Sequence, residues 1–149
     1  MDIYLLIYLI FCVAPIGTLL HEAGHAAGAR ALNARRIQLS VGSGKEISRF
    51  SVGRLTISIH AVYFLGGMAY SERNRVYTKL EKIWIAVSGP LSNLIVTLLL
   101  FFLYTQWSSN YLLLPLLFNL WIATINLIPF KIKGRQSDGY VIFKTLSRH

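Results

Sequence analysis

The chain has 149 residues, of which 54% are hydrophobic and only 14% are charged. Such a composition excludes an ordinary soluble domain of this size and favours one membrane-embedded domain over residues 1–149. The net charge of +9 does not indicate nucleic-acid binding, because the basic residues lie between apolar segments and no nucleic-acid motif organises them.

The first apolar segment runs from about residue 3 to residue 32 and predicts a helix that spans the bilayer. Its inner half contains the H-E-x-x-H pattern His21-Glu22-Ala23-Gly24-His25. On a helix, His21 and His25 lie on one face, where both can bind one zinc ion. Glu22 lies beside that face, within reach of a zinc-bound water as a general base. Imidazole and carboxylate groups are costly inside a span, which indicates a functional site.

The same segment is rich in small residues around and after this pattern, from Ala23 to Ala29. Small residues predict that another helix approaches this one closely in the membrane. The alternative interpretation of the pattern is that His21, Glu22 and His25 reach the membrane surface from a helix end and bind nothing.

Between about residues 37 and 67 the sequence alternates apolar and polar residues, most clearly from Leu55 to His60. This period is typical of half-buried strands. We expect two or three short strands with a hairpin turn near Gly53, and we expect Gly66-Gly67 to close the region. His60 falls on the polar phase of its strand, which favours a position at the surface.

Two further apolar segments, at about residues 83–104 and 111–128, predict two more spans. The second segment begins with Ser88-Gly89-Pro90-Leu91-Ser92-Asn93. The third ends with Asn126-Leu127-Ile128-Pro129, and a basic loop with Lys131, Lys133 and Arg135 then leads to Asp138-Gly139. The predicted fold is therefore a mainly α membrane protein with three transmembrane helices and a short membrane-associated β region between the first and second.

The basic residues predict the orientation of these spans. All 15 Lys and Arg residues lie between the inner end of the first segment and the start of the second, or after the third. The positive-inside rule then places the N-terminus outside and the C-terminus in the cytoplasm of a multi-pass cell-membrane protein.

A catalytic zinc site uses three protein ligands and keeps one position open. The chain has only six acidic residues to supply the third ligand. Asp138 is the strongest candidate, because it follows a membrane segment and Gly139 permits a tight turn beside it. His60 and His149 are weaker candidates.

Taken in order on three successive spans, these motifs resemble the site-2 protease family of intramembrane zinc metalloproteases. The motifs are His21-Glu22-Ala23-Gly24-His25, Gly89-Pro90-Leu91-Ser92-Asn93, and Asn126-Leu127-Ile128-Pro129 followed by Asp138-Gly139. The region 37–67 is similar to the family's membrane-associated β segment, which also ends in Gly-Gly. The chain departs from the commoner family pattern in its longer and unusually basic loop between Asn126 and Asp138.

The resemblance implies a set of site residues and a cofactor. It implies one Zn²⁺ per chain on His21, His25 and Asp138, with Glu22 as the catalytic residue. It also implies that Asn93 and Asn126 lie near the site and help to bind substrate or the oxyanion, with Asn93 as the expected oxyanion donor.

The implied function is that of a zinc endopeptidase which cleaves membrane-spanning or membrane-bound peptides, in regulated intramembrane proteolysis or peptide maturation. The expected partners are that substrate, the lipid bilayer and a regulatory membrane protein, in a bacterial cell membrane. Since a helical substrate must unwind first, we expect the strand at residues 55–64 to offer it a backbone edge.

Two other functions compete with this one. A zinc-binding membrane scaffold without protease activity would need the ligands but not Glu22. A small transporter is disfavoured, because three spans contain no paired repeat.

Overall fold

The computed structural model describes residues 2–132 and 134–147. It is mainly helical, with three helical segments long and apolar enough to cross a membrane, at Ile3–Ala31, Lys79–Gln106 and Asn110–Leu127. These agree closely with the predicted spans at 3–32, 83–104 and 111–128. The basic residue Lys133 and the candidate ligand His149 lie outside the described residues.

The first span consists of three consecutive helical parts. These are α1 (Ile3–Tyr8), a π-helical turn (Leu9–Val13) and α2 (Ala14–Ala31). The wider turn lies directly before Pro15, which has no N–H for a regular helical bond. The first span therefore changes its helical period where its outer half meets its inner half.

The second and third spans are the helices α3 (Lys79–Gln106) and α4 (Asn110–Leu127). Helix α3 begins four residues before the predicted start, because Thr78 and Glu81 form a reciprocal capping box there. Both helices contain a proline, Pro90 in α3 and Pro115 in α4, and both remain continuous. The hydroxyl of Tyr8 donates to the Tyr111 carbonyl (3.3 Å), whose helical partner Pro115 lacks an N–H.

Helix α2 packs closely against α3 through small residues on both. A Cβ atom added at Gly24 would lie 2.7 Å from the Cβ of Ser92, and one added at Gly28 would lie 2.8 Å from the Cβ of Ser88. Both distances are shorter than side chains tolerate, so glycine is required at this crossing. The close packing expected from the small residues of the first segment is confirmed.

The region between the first two spans forms two long antiparallel strands, β1 (Arg36–Val52) and β2 (Leu55–Glu72). They are longer than the short strands that we expected, and the hairpin turn lies at Gly53 as predicted. Alternate residues such as Ile37 and Leu39 are buried against Ala26 and Ala29 of α2. The sheet is therefore anchored on the inner end of the first span.

Both strands bend, so that their halves lie side by side as four segments. Residues 36–41 pair with residues 67–72 on one side and with residues 55–59 on the other, and residues 55–59 also pair with 48–52. The prediction that the strand at 55–64 presents a free edge is therefore wrong for residues 55–59, which are paired on both sides. In the described part of the chain, the segment 67–72 pairs on one side only and forms an edge of the sheet.

A short two-stranded hairpin, β3 (Lys131–Ile132) and β4 (Arg135–Gln136), follows α4. The last helix, α5 (Asp138–Ser147), begins directly after it and packs against α3. The long basic loop of the sequence thus contains an ordered hairpin.

Candidate metal centre

Three side chains converge where α2 and α5 meet. The Nε2 atom of His21 lies 3.0 Å from an oxygen of Asp138, and the Nε2 atom of His25 lies 3.2 Å from its other oxygen. The two Nε2 atoms are 3.2 Å apart. Among the described residues, these are the only three His, Cys, Asp or Glu side chains placed to share a metal ion.

The other nitrogen of each imidazole ring is fixed by an oxygen atom. Nδ1 of His21 lies 2.7 Å from Oδ1 of Asn93, and Nδ1 of His25 lies 2.7 Å from the carbonyl oxygen of Ile85. Since both partners are acceptors, each Nδ1 carries the proton and donates it. In the neutral rings each Nε2 is then an acceptor that points towards the other and towards a carboxylate, an arrangement that a proton or a cation between these atoms would stabilise.

These distances fit zinc. Zinc binds histidine nitrogen at 2.0–2.1 Å and carboxylate oxygen at 2.0–2.2 Å, so tetrahedral ligand atoms lie about 3.3 Å apart. The separations of 3.0–3.2 Å among His21, His25 and Asp138 are close to that value. Two imidazoles and one carboxylate also match the ligand types of catalytic zinc sites, which leave a fourth position open.

Electrostatics at Asp138 reflect the same arrangement. Burial alone would raise the pKa of this carboxyl group, but hydrogen bonds with His21 and His25 lower it more, and the net shift is downward. Asp138 is therefore held as a carboxylate, the form that binds a metal.

The position of Asp138 depends on how the preceding loop is closed. The Ser137 hydroxyl donates to the Ile128 carbonyl (2.7 Å) and accepts from the backbone N–H groups of Phe130 and Tyr140 (3.0 and 3.1 Å). These bonds tie the end of α4 to the start of α5, so the hairpin at 131–136 extends outward from a closed base. The longer loop does not displace Asp138 from the histidines.

Glu22 lies between the histidines and the edge segment of the sheet. The residue is only 9% exposed, and its carboxylate lies near the backbone of Ala69. A Cβ atom added at Gly67 would lie 2.8 Å from the Cγ atom of Glu22. The second glycine of the predicted Gly-Gly pair therefore lets the strand pass directly over the Glu22 side chain.

The two predicted asparagines occupy different environments. Asn93 is fully buried, and its Nδ2 group donates to the Gly17 carbonyl (3.0 Å) and to Oδ1 of Asn119 (2.8 Å). With its oxygen on His21, Asn93 has no free donor for an oxyanion in this structure. Asn126 is half-buried and donates to the Ile122 carbonyl (3.0 Å) of its own helix, without a hydrogen bond to the other site residues.

Sequence reasoning missed two groups that position the site. Asn119 holds the Asn93 amide, and its own Nδ2 donates to the Pro115 carbonyl (2.8 Å). The available signal was a polar residue in the middle of an apolar span. The Ile85 carbonyl, which fixes His25, gave no signal, because a backbone group is not visible in a side-chain pattern.

His60, the weaker ligand candidate that falls within the described residues, lies outside this centre. Its Nδ1 atom is 3.2 Å from the Ser40 hydroxyl and 3.3 Å from the Val41 carbonyl. It is half-buried on the sheet rather than fully at the surface as predicted.

Comparison with models of protein families gives a match over most of the chain. The model of the family described as peptidase family M50 matches residues 5–109, which include the H-E-x-x-H pattern and Asn93. Asp138 lies beyond the matched residues. A search of curated proteins finds no match.

Proposed function

Since the chain belongs to peptidase family M50, a family of zinc metalloproteases, we propose that it is a zinc endopeptidase which cleaves membrane-spanning or membrane-bound peptides. The observation that carries the proposal is the convergence of His21, His25 and Asp138 beside a buried Glu22. The three apolar spans place this group of residues in a membrane protein.

His21, His25 and Asp138 would hold one zinc ion per chain. When bound, zinc polarises the scissile carbonyl and makes a water molecule acidic enough to attack at neutral pH. Glu22 accepts the proton of that water on its carboxylate and delivers it to the leaving nitrogen. Burial by the strand at Gly67 and Ala69 keeps this carboxylate away from bulk solvent.

Asn93 is assigned a positioning role. Its oxygen orients His21, and its two amide hydrogens are bonded to Gly17 and Asn119. Asn126 is the better candidate for a contact with substrate or the oxyanion. Its side chain is half-buried, and its only hydrogen bond to a described residue uses one of its two amide hydrogens.

The edge segment 67–72 is the proposed binding place for the unwound substrate. It pairs with residues 36–41 on one side, and its backbone passes over Glu22 at Gly67. A substrate strand that pairs with this edge would bring its backbone next to the carboxylate and the metal ligands. This assignment replaces the expected edge at 55–64.

The orientation in the membrane is proposed from the charges. In the sequence, all 15 Lys and Arg residues lie between the inner end of the first span and the start of the second, or after the third, and the positive-inside rule assigns these regions to the cytoplasm. The sheet and α5 then lie on the cytoplasmic side, and the N-terminus lies outside.

Co-expression with tagged single-span proteins tests the activity, with Glu22→Gln as the decisive variant. Loss of a general base lowers a rate about 10²- to 10⁴-fold, so Glu22→Gln should bind zinc normally and cleave very poorly. The control is Glu46→Gln, an exposed glutamate that pairs with Arg49 on the sheet. Cleavage by Glu22→Gln at the wild-type rate would contradict the mechanism. If neither the wild type nor Glu22→Gln cleaves any substrate while both bind zinc, the scaffold function is favoured instead.

A further inference from the structure

A second feature, remote from the metal centre, is a pocket of about 390 Å³ lined by four arginines and two asparagines. No carboxylate lines it. The lining residues are Asn33, Arg35, Arg54, Arg73, Asn74 and Arg75. Nothing in the proposed proteolytic mechanism uses this pocket, so its concentration of positive charge calls for another explanation.

Three connecting segments form the pocket. They are the turn after α2, the hairpin turn between β1 and β2, and the loop before α3. Their mutual hydrogen bonds fix the walls: Arg35 donates to Asn74 (3.0 Å), Arg54 to the Ala34 carbonyl (3.4 Å) and Arg73 to the Leu32 carbonyl (3.1 Å). The pocket is therefore built from residues distant in sequence and held in place at the end of the first span.

Most of the positive charge in this pocket is not neutralised. Arg73 forms an ion pair with Glu81 (2.5 Å). Arg35, Arg54 and Arg75 are exposed and have no carboxylate partner among the residues that the structure describes. The side chain of Arg75 makes no hydrogen bond to any of them either. Three guanidinium groups without an acidic partner around one pocket attract an anion, and their remaining N–H donors suit a phosphate.

The surroundings of the pocket indicate the membrane surface rather than open solvent. Val76 and Leu80, next to the pocket in the chain, are 80% and 78% exposed. Trp84, one turn further along α3, is 48% exposed, and tryptophan is enriched at the level of lipid headgroups. Exposed apolar side chains directly beside free arginines fit a boundary where headgroups meet acyl chains.

We propose that this pocket binds the phosphate headgroup of an anionic phospholipid in the adjacent leaflet. The free arginines contact the phosphate, and the asparagines donate to its remaining oxygens. The acyl chains lie along the exposed apolar residues at the start of α3. Basic pockets at the ends of spans recognise anionic headgroups through this combination of charge and position.

The test is a lipid titration of the purified, zinc-loaded protein in detergent, followed by native mass spectrometry. Phosphatidylglycerol and phosphatidylcholine with identical acyl chains are compared. The wild type should retain phosphatidylglycerol at least tenfold more tightly. The triple variant Arg35→Gln, Arg54→Gln, Arg75→Gln should bind it on the order of 100-fold more weakly.

A charge-matched control carries Arg36→Gln, Lys45→Gln and Arg49→Gln, three exposed residues of β1 that do not line the pocket. It should bind phosphatidylglycerol like the wild type. An equal loss of phosphatidylglycerol binding in both triple variants would overturn the proposal, as would equal binding of the two lipids by the wild type.

Inorganic phosphate serves as the competing ligand. Under the proposal, phosphate alone displaces the lipid only at far higher concentration, because it lacks acyl chains. Displacement at equal concentrations would assign the pocket to a soluble phosphate and overturn the lipid assignment. Elution volume and zinc content check the fold. If the triple variant fails that check, Arg75→Gln alone should weaken lipid binding about fivefold, and no change would refute the proposal.

Discussion

The hydrogen bond between Asn93 and His21 makes a quantitative prediction for Asn93→Leu. This change keeps the size of the side chain and removes the oxygen that lies 2.7 Å from Nδ1 of His21. It also removes the donors to Gly17 and Asn119. Loss of an outer partner of a ligating histidine typically lowers metal affinity 10- to 100-fold, about 1.4–2.8 kcal/mol. We expect zinc affinity to fall within this range.

Asn93→Asp separates a positioning role from an oxyanion role. It keeps an acceptor for His21 and removes both amide hydrogens, and the Asn119 amide can turn to donate to the new carboxylate. If Asn93 acts through His21, this variant should hold zinc within about tenfold of the wild type. If Asn93 donates to the oxyanion instead, both variants lose cleavage and both keep full zinc affinity.

The assay is competition with a chromogenic chelator in detergent, with single-span substrate cleavage measured on the same preparations. Elution volume on size exclusion shows that each variant is folded. Asn119→Leu is the companion variant, because it removes the acceptor of Asn93 without touching His21. Asn119→Leu should lower the zinc affinity less than Asn93→Leu does. Unchanged zinc affinity in folded Asn93→Leu, together with lost cleavage, would refute the reasoning.

Three further predictions concern the strand over Glu22, the pH response of Asp138 and the orientation of the spans. Gly67→Ala places a Cβ atom 2.8 Å from Glu22 and 3.1 Å from Thr18, an overpacking that costs about 1–3 kcal/mol, so cleavage should fall while zinc is retained. Gly53→Ala adds a Cβ atom with no neighbour within 4 Å and is the control, which should keep cleavage; equal losses of cleavage in both variants would contradict a role for the contact with Glu22. Burial raises the pKa of Asp138, but hydrogen bonds with His21 and His25 lower it more, so the pKa in the folded protein lies below the ordinary aspartate value. The carboxylate therefore stabilises the fold above the ordinary aspartate pKa, and this stabilisation is lost as the pH falls through the pKa of the folded state. In thermal unfolding of metal-free protein, the advantage of the wild type over Asp138→Asn should therefore begin to shrink below about pH 4 and vanish as the pH falls further. An advantage that grows on acidification would contradict the argument. A C-terminal alkaline phosphatase fusion should stay inactive in cells, and strong activity would invert the proposed topology.

The spans and the candidate metal ligands could be predicted from the sequence because their signals are local. An apolar run of the right length predicts a span wherever it folds, and H-E-x-x-H places two ligands on one helix face. Asp138 could be predicted as the third candidate ligand because the chain has so few other acidic residues.

The arrangement of the sheet was not accessible in the same way. Alternation identifies residues 55–60 as a strand but does not say how many neighbours it has. Only the bends at positive-φ glycines such as Gly42 and Gly44 turn two long strands into four adjacent segments. An edge of the sheet therefore lies at 67–72, whereas the sequence predicted one at 55–64.

The role of Asn93 depended on a partner that is distant in sequence. A motif shows that an amide is present near the site, but whether its hydrogens are free depends on Gly17 and Asn119. These residues lie on two other helices, and their contacts with Asn93 form only when all three helices pack.

The hydrogen bonds at Ser137 make the position of Asp138, the candidate third ligand, independent of the length of the hairpin before it. The backbone N–H of Ser137 bonds to the Phe130 carbonyl (3.1 Å), so the two ends of the hairpin already meet. Residues can be gained or lost between them without moving Asp138. A sequence motif that is to recognise this arrangement should therefore allow a variable number of residues before the aspartate. The turn at Gly134, with no atom within 4 Å of an added Cβ, is also a suitable place for a fluorescent or affinity label that leaves the candidate metal centre undisturbed.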